Sequence, residues 1–145
     1  MRNIVAAIDL DNEKQQHDIL NIATEWAGAF EAKLWVLYTA LDAPGPADYD
    51  AGPQTVRDRI SCMVRERHRQ LQDTAHKAAR SKDIEVTALM VKGEPADEIL
   101  EHARREDADL IVVGHPNRWG LVTAILGDTA HNVIGHAKRP VLVVP

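Results

Sequence analysis

Cysteine is almost missing from this chain. Cys62 stands alone among 145 residues, which excludes an intrachain disulfide and any cluster of thiolates around a soft metal. A reduced, cytoplasmic setting is therefore expected. Long apolar runs are missing too. The first, residues 4–8, soon meets Asp9 and Asp11, whereas a membrane helix needs about 20 apolar residues and an export signal a longer core than this. No membrane association is expected. Nor is positive charge in excess: 17 Lys and Arg face 22 Asp and Glu, for a net charge of -5, so there is no electrostatic reason to expect nucleic acid as a partner. The histidines, at positions 17, 68, 76, 102, 115, 131 and 136, show none of the paired spacings of a metal site, and no bound metal is expected.

What the chain does have is apolar residues in short blocks. They make up 45% of the sequence, enough at this length for one domain, residues 1–145, with a core of its own. Residues 4–8 are apolar without interruption, as in a strand buried on both faces. Asp11 or Asn12 can cap a helix whose inward stripe is Ile19, Ile22, Ala23, Trp26 and Ala27. Residues 33–39, aromatic and β-branched, predict a second strand. Three prolines and two glycines make 43–53 a surface excursion that shapes the mouth of any site above it. From about 54 to 80 the chain reads as helix, with Val56, Ile60, Met63 or Val64, Leu71, Ala75 and Ala78 on one face and Cys62 half-buried beside it. His17 and His68 sit in polar helical contexts and should face solvent. A third strand over 84–91, a helix after Pro95 with Ile99, Leu100 and Ala103 inward, a strand over 110–113, a helix over 121–137 and a strand over 141–144 complete the pattern. Strands separated by helices predict an α/β fold, a parallel sheet with helices on both faces.

The fourth strand empties through Gly114 and His115 into a loop with Asn117, Arg118, Trp119 and Gly120, and then into the helix carrying Gly127, Asp128 and Thr129. Strand-glycine-helix junctions are where α/β proteins usually hold anions. Glycine permits tight backbone paths and asparagine tolerates a positive φ. The same pattern also fits a plain strand-to-helix turn in which glycine serves geometry alone. Trp119 either stacks on a ligand or folds back over the adjacent helix.

Several ordered motifs go together: residues 91–99, residues 108–114, Gly127, residues 136–144, and Asp9 closing the first strand. In combination they resemble the universal stress protein family over nearly the whole chain. The resemblance implies a five-stranded sheet in the order 3-2-1-4-5, a ligand crevice beyond the carboxyl ends of strands one and four, and a homodimer joined through the C-terminal strand. It also implies a stress-response or regulatory role, with a protein partner that the residues do not name.

Members of that family that bind ATP carry a glycine, two residues, a second glycine, nine residues, and a third glycine followed by serine or threonine. Gly114 and Gly127 match the first and third positions, while Asn117 replaces the middle glycine and Asp128 the hydroxyl residue. The resemblance places Asp9 beside the nucleotide, and Asp11 stands where binding members often have serine. A carboxylate fixed next to a triphosphate costs about one to a few kcal/mol unless a cation intervenes. Arg118 would partly offset that charge, Thr129 would supply the missing hydroxyl if the helix began one residue later, and Asp9 and Asp11 would hold Mg²⁺ if a nucleotide brought it.

Two functions follow. One is a dimeric binding module that works without nucleotide and needs no cofactor, which the charge favours. The other is an ATP-binding switch with a divergent phosphate loop, using Asp9, Gly114, His115, Asn117, Gly127, Asp128 and Thr129, with ATP and Mg²⁺ as ligands. Enzyme activity is not expected, because Ser61, Ser81 and Cys62 lack the strand-end placement of a nucleophile and no Walker lysine or close carboxylate pair lies in the loop.

Overall fold

β1 (Asn3–Ile8) buries Ile4, Val5, Ala6 and Ile8, as a continuously apolar strand inside a parallel sheet should. The computed structural model describes residues 1–39, 54–115 and 128–145. Within them β1 is followed by α1 (Glu13–Phe30), β2 (Lys33–Thr39), α2 (Gln54–Ala79), β3 (Val86–Val91), α3 (Pro95–Arg105), β4 (Leu110–Gly114), α4 (Asp128–His136) and β5 (Val141–Val144). The strands form one parallel sheet in the order β3-β2-β1-β4-β5, the fold and order expected. The excursion 43–53, the loop residues Asn117, Arg118, Trp119 and Gly120, and the expected helical residues 121–127 lie outside the described residues, as do the side chains of Val56 and Ile60. Among the described residues no helix is long and apolar enough to cross a membrane.

Side chains alternate across the sheet, so each face feeds its own core. Ile4, Ala6, Leu34, Val36 and Val112 pack with Ile19, Leu20 and Ala23 of α1 and Leu71 and Ala75 of α2. Val5, Leu37, Ile111 and Val113 pack on the other side with Ile99 and Ala103 of α3 and Ala130 and Val133 of α4. Each fully buried Leu or Ile contributes about 1.5–3 kcal/mol, and the right-handed crossover rule accounts for which helices share a face.

The inward stripe of α1 is offset from the one expected. Ile19, Ala23 and Ala27 are buried and Ile22 packs at their margin, but Trp26 is 39% exposed. The buried arc turns instead toward Gln16, Leu20 and Thr24, and the indole lies on the flank, 5.9 Å between ring centroids from Phe30. α2 has 26 residues, roughly 39 Å at 1.5 Å each, and outruns the strands beneath it. Among the described side chains its buried positions, Leu71, Ala75 and Ala79, fall in the second half. In the first half Val64, rather than Met63, turns inward, and Cys62 is exposed rather than half-buried. His17 and His68 face solvent.

At the amino edge of the sheet, three turns from helix to strand each place an acidic residue in the left-handed region: Glu31 at φ 53, Asp83 at φ 48 and Asp107 at φ 49. Glycine or asparagine usually fills this role. After α1 the amide of Ala32 donates to the carbonyl of Ala27, and after α3 that of Ala108 donates to Ala103, so helix-end carbonyls are satisfied despite the choice of residue. Asp107 also pairs with Arg139.

α3 opens on Pro95 and buries Ile99, Ala103 and, unexpectedly, His102, which is 2% exposed. Nη2 of Arg105 lies 2.7 Å from Nδ1 of His102, and since a guanidinium only donates, the imidazole accepts there. Nε2 then carries the proton, and it meets no hydrogen-bond partner among the described residues. The ring stands edge-on to Trp35, with centroids 5.0 Å apart. Burial first, and the charge of Arg105 second, hold the imidazole below its ordinary value of 6.5. Folding therefore opposes its protonation: the stability is fully present above pH 6.5 and is lost as pH falls through that value toward the folded one. Thermal unfolding midpoints should fall as pH is lowered from neutral through this window, and His102→Gln should flatten the fall. An unchanged pH profile in that variant would refute the assignment.

Candidate functional site

β1 and β4 pair only as far as Ala6 and Val112. β1 continues beside β2 to the pair of Ile8 with Tyr38, and β4 beside β5 to the pair of Gly114 with Val144. The two central strands thus diverge at their carboxyl ends. The chain winds outward in opposite directions from this point, and such a switch point leaves a crevice that no crossover covers.

Asp9 follows β1 and is exposed, while Leu10 beside it is buried and anchors the turn. The carboxylate of Asp9 accepts from the amide of Asp11 at 2.9 Å, and its carbonyl accepts from the amide of Asn12 at 3.2 Å. Asp9 therefore shapes the entry to α1, the local role open to any aspartate before a helix. Asn12 caps that helix, its side-chain oxygen accepting from the amide of Gln15 at 3.1 Å.

A cation that the sequence did not reveal sits on this side of the crevice. Arg67 reaches from α2 and places Nη2 2.8 Å from a carboxylate oxygen of Asp11. Asp11 first, and more remotely Tyr38 and Asp9, hold the guanidinium above its ordinary value. Tyr38, at the carboxyl end of β2, is pushed up chiefly by burial, with Arg67 acting against the shift and the two aspartates adding to it. Tyr38, Asp9, Asp11 and Arg67 thus form one electrostatic neighbourhood.

The other side is built on glycine. Gly114 has no positive φ, so the position uses the missing side chain rather than backbone freedom. A Cβ there would lie 2.4 Å from Cδ of Gln15, 2.5 Å from its Nε2 and 2.9 Å from its Cγ. The carboxamide of Gln15 rests on Gly114 and donates from Nε2 to the carbonyl of His115 at 2.6 Å. His115 is half-buried, and its own amide donates to the carbonyl of Val144 at 2.7 Å, extending the β4–β5 ladder.

Of the remaining expected site residues, Asn117 and Gly127 lie outside the described residues. Asp128 is exposed and Thr129 half-buried in the first turn of α4, and an acidic side chain in a first turn is favoured by the helix dipole. Since α4 leads into a strand parallel to the rest, its first turn belongs to the same carboxyl edge as Gly114. Among the described residues no group of three or more His, Cys, Asp or Glu is placed to hold a metal ion. Sequence reasoning missed Gln15, Arg67 and Tyr38. For Gln15 a misleading signal existed: Asn12 followed three residues later by Gln15 is a capping-box pattern, and half of that box forms while the glutamine side chain goes elsewhere.

The sequence profile described as Universal stress protein family matches residues 1–145. A universal stress protein of Methanocaldococcus jannaschii is 33% identical over 136 residues, covering 94% of this chain and 75% of the relative. One of Bacillus subtilis is 28% identical over 141 residues, covering 94% and 95%. Among solved structures, a universal stress protein from Archaeoglobus fulgidus superposes with a TM-score of 0.75 at 24% identity, covering 100% of this chain and 99% of its own. A universal stress protein in complex with cAMP gives 0.71 at 23% identity, covering 99% and 95%, and the Archaeoglobus fulgidus protein in complex with dAMP gives 0.70 at 22%, covering 100% and 98%. The chain belongs to the universal stress protein family.

Replacing Arg67 with Met should change stability by less than about 1 kcal/mol, because the ion pair with Asp11 is exposed and screened. It should nevertheless raise the Tyr38 phenol further. Alkaline absorbance titration, with Tyr49→Phe as background to isolate the signal, measures this, and an unmoved Tyr38 titration contradicts the shared neighbourhood.

Proposed function

We propose that this universal stress protein is a homodimeric regulatory module of the cytoplasm that takes an adenine nucleotide with few phosphates into the crevice between β1 and β4, and binds it without turning it over. The observation that carries the reading is the end of the β1–β4 ladder at Ala6 and Val112. The crevice opened there has Asp9 and Asp11 on one wall and Gly114 on the other. Similar structures have been solved with cAMP and dAMP, which moves the balance away from a purely nucleotide-independent role.

Charge selects among adenine nucleotides. Asp9, Asp11 and Asp128 supply negative charge along the carboxyl edge, and Arg67, a cation beside the crevice, is paired with Asp11. Every added phosphate meets that field, and a fixed like-charge contact costs about 1 to 4 kcal/mol at surface dielectric values. ATP therefore fits this rim less well than a monophosphate, and would depend on Mg²⁺ to bring it in. Catalysis has little support in the same geometry. The Asp9 carboxylate accepts from the amide of Asp11 and that of Asp11 pairs with Arg67, which supports structural roles for both.

Calorimetric titration with AMP, cAMP and ATP with Mg²⁺ tests the reading. The monophosphates should bind at least about tenfold more tightly than ATP, a difference of roughly 1.4 kcal/mol, and Asp128→Ser should narrow the gap. Tighter binding of ATP overturns the charge argument, and failure of all three overturns nucleotide binding.

Self-association has its own support. β5 is an edge strand with Val141, Leu142 and Val143 only partly covered, and such an edge offers backbone groups to a second copy. Ile134 on α4, 45% exposed, is a nearby surface position outside the core. The chain should run as a dimer at micromolar concentration in sedimentation experiments, and Ile134→Asp should weaken the dimer about tenfold or more. A monomer throughout that range rejects the assembly.

A further inference from the structure

Gly114 is the one residue of β4 without a side chain, and the space this leaves is filled from inside the protein. With an ordinary strand backbone at this position, nothing in its φ demands glycine. What fills the space is Gln15: a Cβ on residue 114 would fall within 2.9 Å of three atoms of the glutamine side chain, Cδ, Nε2 and Cγ, and that side chain would have to turn aside. Space for those atoms exists because β1 and β4 have already separated, their last pair being Ala6 with Val112.

Gln15 is suited to lie there and suited to leave. It occupies the first turn of α1, where the cap is made by Asn12 rather than by the glutamine, so rotation of its side chain leaves the helix start intact. Its described attachment is one hydrogen bond, from Nε2 to the carbonyl of His115 at 2.6 Å. The side chain is only half-buried, so water can reach the carboxamide and replace that partner when it turns away. A neutral hydrogen bond of this kind is worth little net free energy.

We infer that the Gln15 carboxamide is a displaceable plug that closes the glycine floor of the crevice and sets how tightly a ligand binds there. The inference rests on the reading of the crevice as a nucleotide site. A ligand approaching the backbone at Gly114 and His115 meets the carboxamide first and must turn it out. The population with the plug withdrawn is the competent one, and apparent affinity is reduced by that fraction.

The test uses Gln15→Ala, a good helix former that leaves the Asn12 cap in place. By calorimetry with AMP and cAMP, the variant should bind about threefold to tenfold more tightly than the unmodified chain, the range set by one net hydrogen bond. Equal or weaker binding overturns the plug while leaving the nucleotide site standing, since a glutamine that contacts the ligand gives that result. If neither protein binds nucleotide, the nucleotide reading fails, and a ligand-free cycle decides the plug. Gly114→Ala should lower the unfolding temperature of the unmodified chain and lower it much less in the Gln15→Ala background. Equal losses in both backgrounds overturn the plug, because they show that the methyl group meets something other than Gln15.

Discussion

The pairing of Ala6 with Val112 is the contact on which the shape of the sheet's carboxyl end depends. A parallel sheet buries both faces and needs helices on each. This chain meets the requirement by winding outward from β1 through β2 and β3, then returning to the other side of β1 with β4 and β5. The two windings share a single seam, and the seam is paired over only the lower part of the strands. Had the ladder continued to Ile8 and Gly114, neither the crevice nor the room above Gly114 would exist.

The described walls of that crevice are engaged with internal partners. On one wall the negative charge of Asp11 meets Arg67, and the carboxylate of Asp9 is folded back on the amide of Asp11. On the other, the missing side chain of Gly114 is matched by the carboxamide of Gln15 and the carbonyl of His115 by its Nε2. Any molecule entering the crevice would compete with internal partners on both walls, so its affinity would be the difference between two sets of interactions rather than the sum of one.

Much of the fold was legible in the sequence because apolar runs such as residues 4–8 and 110–113 have few places to go except the middle of a sheet. Strand order came from resemblance, since crossover rules restrict but do not fix it. Where the reading missed, neighbours in space decided the outcome. Trp26 matched the helical period, yet the arc of α1 that met the sheet ran through Gln16, Leu20 and Thr24. Cys62 lies where α2 has outrun its strands, and helix overhang is a property of lengths set by two separate elements. Gln15 carried a capping signature and used half of it. Arg67 was one arginine among many on a charged helix, and only the approach of α2 to the carboxyl end of β1 gives it meaning. Asp9 and Gly114 could be placed at the ends of β1 and β4 because the limits of short apolar runs are local facts, while a site role for Asp9 came from resemblance.

The opposite edge of the sheet has another character. Glu31, Asp83 and Asp107 hold left-handed turns, a conformation that costs a residue with a side chain about 1–2 kcal/mol, and they put negative charge near helix carboxyl ends, where cations are preferred. None of them lies at the crevice. Among the described residues the molecule thus keeps its left-handed turns at one end of the sheet and the β1–β4 crevice at the other, which makes the two separable to selection: drift or engineering at the amino edge can raise or lower robustness while the crevice keeps its shape.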